Sequence, residues 1–145
     1  MDLPVEPRML ALGVARARVA VGAVGCALPG LAATFAHGDQ APAARSLARM
    51  VGARDVALGL GALTSVKEGT QDAEWVGTGA AVDIIDGLAL LLTRGLPARS
   101  RLFGIAALAC GVAGLAAARA LADERDAAAP VADDLTRSGL AGARG

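Results

Sequence analysis

The sequence predicts an all-α protein, an antiparallel four-transmembrane-helix bundle with a disordered C-terminal tail. Hydrophobic residues make up 54% of the 145 residues and the mean hydropathy is +0.51, both high for a soluble domain. Aromatic residues make up only 2%, so the apolar character comes from Ala, Leu, Val and Gly. Such small residues suit closely packed membrane helices. The alternative is a soluble, Ala-rich helical bundle.

Four apolar segments follow one another within a domain of residues 1–122. A helix of about 20 residues crosses the hydrocarbon core of a bilayer. The second segment is the weakest spanning candidate because Arg49, Arg54 and Asp55 interrupt it. Pro29 is expected to kink the first helix near its far end. The helices are predicted over about 10–35, 47–66, 75–93 and 101–121.

A cleaved signal peptide is the alternative interpretation of the first segment. Arg16 and Arg18 precede its apolar run, as basic residues precede the apolar part of a signal peptide. The segment that precedes the apolar run is long for a signal peptide, however, and further apolar segments follow. Both features favour a retained helix.

The connections between the segments are short and polar. Residues 37–46 form a loop with the only histidine, His37, and residues 67–74 form a charged hairpin connection. Trp75 stands at the start of the third helix, where an interfacial aromatic side chain is expected. Residues 123–145 hold few large apolar groups and are predicted to form a disordered tail.

Four charged residues lie within the second and third predicted helices: Arg54, Asp55, Asp83 and Asp86. At bilayer depth each costs about 2.5–3.5 kcal/mol on insertion scales, so each needs a partner. A short connection makes the two helices antiparallel neighbours, with Arg54 and Asp86 about 10 Å from the same side. An Arg54–Asp86 ion pair is therefore expected. Asp83 and Asp86 share one helical face, whereas Asp55 points in a different direction from Arg54.

One positive charge among these four faces three negative charges. Arg49, nearer the interface, could supply a second cation. Otherwise one aspartate is expected to be protonated, because desolvation and a neighbouring carboxylate both disfavour its charge. The cluster is compatible with a structural role, an ion pair that holds two helices together, and with a role in a proton or cation pathway.

Other sequence features point away from catalysis and from nucleic acid. Formal net charge is zero, so no electrostatic attraction to nucleic acid is expected. Cys26 and Cys110 lie in apolar runs and are interpreted as small buried residues. The segment Gly111–Arg119 resembles part of a dinucleotide-binding fingerprint, but its first glycine position is Ala109 and no βαβ unit surrounds it. No enzymatic activity, cofactor or metal site is expected.

Two weaker patterns concern packing and orientation. Basic residues divide six against five between the two sides of the membrane, which barely favours both termini on the cytoplasmic side. In the fourth helix a stripe of small residues recurs every four positions, which favours close approach of another helix. The stripe consists of Ala106, Cys110, Gly114 and Ala118.

The sequence Gly52-Ala53-Arg54-Asp55, with Asp83-Ile84-Ile85-Asp86 in a later helix, resembles a group of small bacterial four-helix membrane proteins. These form a family of unknown function that is frequent in actinobacteria, and the resemblance covers about residues 10–120. The chain is more distantly similar to the DoxX-like four-helix membrane proteins, some of which are associated with redox systems. The resemblance implies the fold and no activity.

The sequence thus leaves three functional hypotheses for a multi-pass protein of the cell membrane. The first is a structural or accessory bundle held by an intramembrane Arg–Asp pair, which contacts the lipid bilayer and binds a second copy or another membrane protein. The second is a small transporter or channel, coupled to protons or cations, that uses Asp83 or Asp86. The third is an accessory subunit of a membrane redox complex.

Overall fold

The computed structural model describes residues 6–38 and 41–142, and this part of the chain is helical without strands. Its five helices correspond to the four predicted segments, with the first segment divided in two. Their bounds are α1 Pro7–Ala27, α2 Pro29–His37, α3 Pro42–Glu68, α4 Asp72–Leu92 and α5 Ala98–Gly142.

Prolines begin three of the five helices. Pro7, Pro29 and Pro42 are the first residues of α1, α2 and α3. Proline suits this position because its missing N–H would have no partner inside the helix. The kink expected at Pro29 is present as a break at Leu28, whose φ of −125° and ψ of 57° are not helical. His37, expected in a loop, is the last residue of α2.

Glycines in the left-handed conformation end α2 and α3. Gly38 has φ 76° and Gly69 has φ 67°, values that favour glycine because it has no Cβ. The guanidinium of Arg8, at the start of α1, donates a hydrogen bond to the backbone oxygen of Val66 near the end of α3. A cation at this position also interacts favourably with the helix dipole.

The helices pack as two antiparallel pairs, α1 with α3 and α4 with α5. In each pair glycines let the two backbones approach closely. A Cβ placed on Gly52 would lie 2.6 Å from the backbone oxygen of Gly22, and one on Gly87 would lie 2.7 Å from that of Gly104. The neighbouring helices α3 and α4 also contact each other, but less extensively than the partners within each pair.

The four-residue stripe predicted for α5 is only partly correct. Gly114 and Ala118 are buried, whereas Ala106 and Cys110 are exposed. Successive positions four apart rotate by about 40° around a helix, so a strict four-residue repeat leaves the contact face within a few turns. The positions that meet α4 are instead Gly104, Gly111, Gly114 and Ala118.

The interior of the bundle is built from small side chains and the exterior from large ones. Buried apolar residues are mostly alanines, with Val66, Val76 and Leu121, whereas many Leu, Ile, Val and Met side chains are exposed. The prediction that both cysteines are buried is wrong, because Cys110 lies on an outward face of α5 and is exposed. Cys26 is half-buried.

Three helices of the described residues are long and apolar enough to cross a membrane, namely α1, α4 and the Ala98–Ala129 part of α5. The helix α3 is not among them, in agreement with its charged residues and its weak apolar run. The helix α5 continues past Ala122, where composition favours a disordered tail, as far as Gly142. Ala, Leu, Arg and Glu in this stretch have high helix propensities. Residues 143–145 of the predicted tail lie outside the described residues.

Candidate functional site

The structure brings the four charged residues of the sequence analysis together and adds Arg18 from α1. Arg18, Asp55 and Asp83 each lie at or next to the midpoint of their helices α1, α3 and α4. Five side chains form a row of alternating charge, which we call the charge chain. Its order is Asp83, Arg18, Asp55, Arg54 and Asp86.

Arg18 is the more buried of the two cations in the charge chain and bonds to both of the other helices. Its guanidinium donates hydrogen bonds to Asp83 Oδ2, to Asp55 Oδ1 at 3.4 Å and to the backbone oxygen of Gly79 at 2.7 Å. Gly79 and Asp83 are one helical turn apart, so a carbonyl and a carboxylate of α4 both accept hydrogen bonds from the same guanidinium. A Cβ on Gly79 would lie 3.3 Å from Arg18 Nη2, so the missing side chain makes room for the cation.

Arg54 pairs with Asp86, as the antiparallel order of α3 and α4 predicts, and the contact is bidentate. Arg54 Nη1 donates to Asp86 Oδ1 at 3.2 Å and Nη2 donates to Asp86 Oδ2. Parallel hydrogen bonds of this kind between a guanidinium and a carboxylate are among the stronger ion-pair geometries in proteins.

Asp55 joins the two halves of the charge chain. The sequence predicts that Asp55 lies at a depth similar to that of Arg54 and points in a different direction, because the two residues are adjacent in a helix. In the structure Asp55 faces Arg18 on α1, and the long side chain of Arg54 also reaches it, with Nη2 donating to Asp55 Oδ1 at 3.2 Å. Asp55 and Arg54 thus face different helices, and the Arg54 guanidinium still reaches Asp55, so one carboxylate oxygen accepts from two guanidinium groups.

Burial decreases along the charge chain from α1 towards the outer edge of α3 and α4. The side chain of Arg18 is 7% exposed, and those of Asp55 and Asp83 are 15% and 17% exposed. Arg54 and Asp86 are 35% and 34% exposed. The Arg18 half thus lies inside the bundle, whereas the Arg54–Asp86 pair opens to the surroundings between α3 and α4.

The buried polar atoms of the charge chain have hydrogen-bond partners, although its positive and negative charges are unequal in number. Within the described residues no buried side-chain nitrogen or oxygen lacks a hydrogen-bond partner. Two arginines face three aspartates, which leaves one formal negative charge. The arrangement can therefore hold three helices together by ion pairs, and it can accept one cation or proton.

Arg49, which the sequence offers as one possible source of a second cation, does not supply it. Its side chain is exposed and takes part in no ion pair among the described residues. Arg18 was interpreted as an interfacial flank because the apolar run begins after it. A helix that begins at Pro7 and breaks at Leu28 instead places Arg18 near its centre. Proline positions were the sequence signal that could have identified it.

Two open surface concavities lie away from the charge chain. The larger, about 450 Å³, is open and lies between α4 and α5 with Glu74, Arg119 and Arg125 on its rim. The smaller, about 310 Å³, lies at the connection of α3 and α4 beside Trp75. In the described part of the chain no group of three His, Cys, Asp or Glu side chains is placed to bind a metal ion.

Comparison with known proteins gives no relative from which a role could be transferred. No family model, no curated protein and no solved structure matches this chain. Its function is therefore inferred from the geometry of the charge chain and from the surface of the bundle.

Proposed function

We propose that the protein is a non-enzymatic, multi-pass integral protein of the cell membrane in which the charge chain fixes the positions of α1, α3 and α4. In this proposal α1 with α2, α3, α4 and α5 form four crossings. The bundle serves as a structural or accessory component that binds a second copy or another membrane protein.

The distribution of side-chain size over the bundle supports a lipid environment. Leu92, Val112 and Ile85 are 76%, 64% and 64% exposed, while the interior is largely alanine and glycine. In water such an exterior would form large apolar patches, which soluble monomers rarely display. In a bilayer the same side chains contact acyl chains, and small interior residues let helices pack closely.

The helix α3 is proposed as a crossing although it is the least apolar of the long helices. Its central charges, Arg54 and Asp55, would be costly facing lipid. In the bundle both are bonded to partners on α1 and α4, which reduces that cost. We therefore expect α3 to insert stably only when the other helices accompany it.

The single observation that carries the structural role is the set of acceptors around Arg18. One buried guanidinium bonds to α3 through Asp55 and to α4 through Asp83 and the Gly79 carbonyl. Breaking such a buried ion pair on one side leaves charges without compensation and is strongly destabilising. A residue of this kind determines which helix faces meet.

Membrane fractionation tests the location, and an Arg18 variant tests the role. The expressed protein is expected to remain in the membrane after a carbonate wash and to dissolve in detergent. Arg18→Ala is expected to yield less folded protein, whereas Arg16→Ala, an exposed change on the same helix, is expected to resemble the wild type. Recovery in the soluble fraction would contradict the membrane proposal.

A second candidate function, transport coupled to a proton or a cation, is favoured by one observation. The charge chain carries one excess negative charge, and its outer carboxylate Asp86 is about one third exposed between α3 and α4. Ionisable side chains inside a membrane bundle often mark ion pathways and proton relays.

Flux measurements in proteoliposomes distinguish the two functions. A pathway through the charge chain predicts proton flux that is abolished in Asp86→Asn and in Asp83→Asn. The structural role predicts no flux above that of empty vesicles, for the wild type and for both variants. Glu74→Gln, an exposed carboxylate outside the charge chain, is the matched control.

A further inference from the structure

Charge is distributed unequally between the two ends of the bundle. At one end α3 and α5 begin and α4 ends, and we call this the arginine-rich end. At the opposite end, the mixed end, α1 and α4 begin and α3 ends. The arginine-rich end carries exposed arginines from three segments: Arg45, Arg49, Arg94, Arg99 and Arg101.

Carboxylates are scarce at the arginine-rich end and frequent at the mixed end. Asp39 is the one acidic residue that the sequence places near the five arginines, and it lies outside the described residues. The mixed end has Arg8, Lys67 and Arg125 close to Glu68, Asp72 and Glu74, and Arg125 pairs with Glu74 at 3.0 Å. Among the described residues, basic side chains therefore outnumber acidic ones at the arginine-rich end, whereas both signs occur at the mixed end.

The arginines at the starts of α3 and α5 are unfavourably placed in the isolated bundle. The first turn of α5 contains Arg99 and Arg101 and no acidic residue, and the first turn of α3 also has none. Helix N-termini carry partial positive charge and favour anions, so cations there repel the helix dipole. An external anion at this end would relieve that repulsion.

We propose that the arginine-rich end binds the phosphates of anionic phospholipid head groups and faces the cytoplasmic leaflet. Anionic lipids attract arginines next to membrane helices, and short loops rich in Arg stay on the cytoplasmic side. With Arg18 buried, the exposed basic residues divide five against five between the two sides, so their number no longer favours both termini on the cytoplasmic side. The inference rests on the proposed membrane location.

Thermal unfolding of the purified full chain in detergent tests the lipid contact, with Trp75, the only tryptophan, as the fluorescent probe. Added phosphatidylglycerol is expected to raise the Tm by several degrees, and phosphatidylcholine to leave it nearly unchanged. The variant Arg94→Gln/Arg101→Gln is expected to lose at least half of that rise. The matched control Lys67→Gln/Arg119→Gln, which removes two exposed charges near the mixed end, is expected to keep it.

Equal shifts with both lipids, or a full shift in the Arg94→Gln/Arg101→Gln variant, would overturn the lipid contact. These results are distinct from failure of the membrane proposal, which appears as release of the protein by carbonate.

Orientation is tested in intact cells with an impermeant maleimide, in a Cys26→Ala/Cys110→Ala background. Thr70→Cys is expected to react and Thr93→Cys to react only after permeabilisation. The reverse pattern would overturn the orientation.

Discussion

The guanidinium of Arg18 donates a hydrogen bond to Asp83 Oδ2, across 65 positions of sequence. This contact joins α1 to α4, two helices that no short loop connects and that do not pack as a pair. The glycine interfaces hold α1 to α3 and α4 to α5, and the charge chain bonds the first pair to the second. Close packing thus forms the pairs, and ion pairs together with apolar contacts between α1 and α5 join the two pairs.

Removing Arg18 is expected to cause the largest loss of stability among the charge-chain variants. Arg18→Ala leaves Asp83 and Asp55 without their main partner in the interior, and loss of one member of a buried pair costs about 3–5 kcal/mol. The measurement is thermal unfolding in detergent followed by Trp75 fluorescence. Arg16→Ala is the control and should change the free energy of unfolding by less than about 0.5 kcal/mol. Equal losses for both variants would show that the buried contacts of Arg18 contribute nothing.

The sequence predicts the order of the helices better than it predicts their ends. Apolar runs locate the four segments because a helix that is buried in lipid or in a protein core is rich in apolar residues in either case. Helix starts were misplaced because Pro7 and Pro42 were interpreted as loop residues, whereas proline is favoured in the first turn. The first helix was predicted to continue through Pro29 with a kink there, whereas α1 ends before it and Leu28 is not helical.

The charge chain was predicted in part for a related reason. The positions of Arg54 and Asp86 along the sequence are enough to pair them, because a short connection makes α3 and α4 antiparallel. The contact of Arg18 with Asp83 depends on how α1 lies against α4, which no short-range pattern encodes. The excess of aspartates did indicate a missing cation, and depth within a correctly bounded α1 identifies it as Arg18.

The Arg54–Asp86 pair is expected to be weaker than the contacts of Arg18. Both of its side chains are about one third exposed, so the gain from their attraction is smaller than inside the bundle. A double-mutant cycle with Arg54→Ala and Asp86→Ala should give a coupling energy between about 0.5 and 3 kcal/mol. The exposed pair Arg125–Glu74 is the comparison and should give a smaller coupling energy, because solvent screens it more strongly. A larger coupling for Arg125–Glu74 would contradict the burial argument.

A single methyl group at Gly52 is expected to separate α1 from α3. Its Cβ would lie 2.6 Å from the oxygen of Gly22 and 2.9 Å from the nitrogen of Cys26, both backbone atoms that cannot rotate away. Gly52→Ala should therefore destabilise the bundle by about 1–3 kcal/mol, as overpacking does. Gly13→Ala is the control, because nothing lies within 4 Å of its Cβ position and alanine favours the helix. A Tm for Gly52→Ala as high as that of Gly13→Ala would show that the two backbones are not in contact.

The two inner carboxylates, Asp55 and Asp83, are expected to contribute unequally to stability, and isosteric replacement of each by asparagine measures the difference. Asp83→Asn removes the carboxylate that Arg18 contacts most closely and should lower the Tm substantially. Asp55→Asn also removes the excess negative charge, and its amide oxygen can still accept from Arg18 and Arg54, which lie 3.4 Å and 3.2 Å away. Its Tm should therefore fall much less than that of Asp83→Asn. If Asp55→Asn instead lowers the Tm at least as much, the charge at Asp55 is needed to hold the two guanidinium groups together. The negative charge of the cluster would then be part of how the helices are joined and not a surplus.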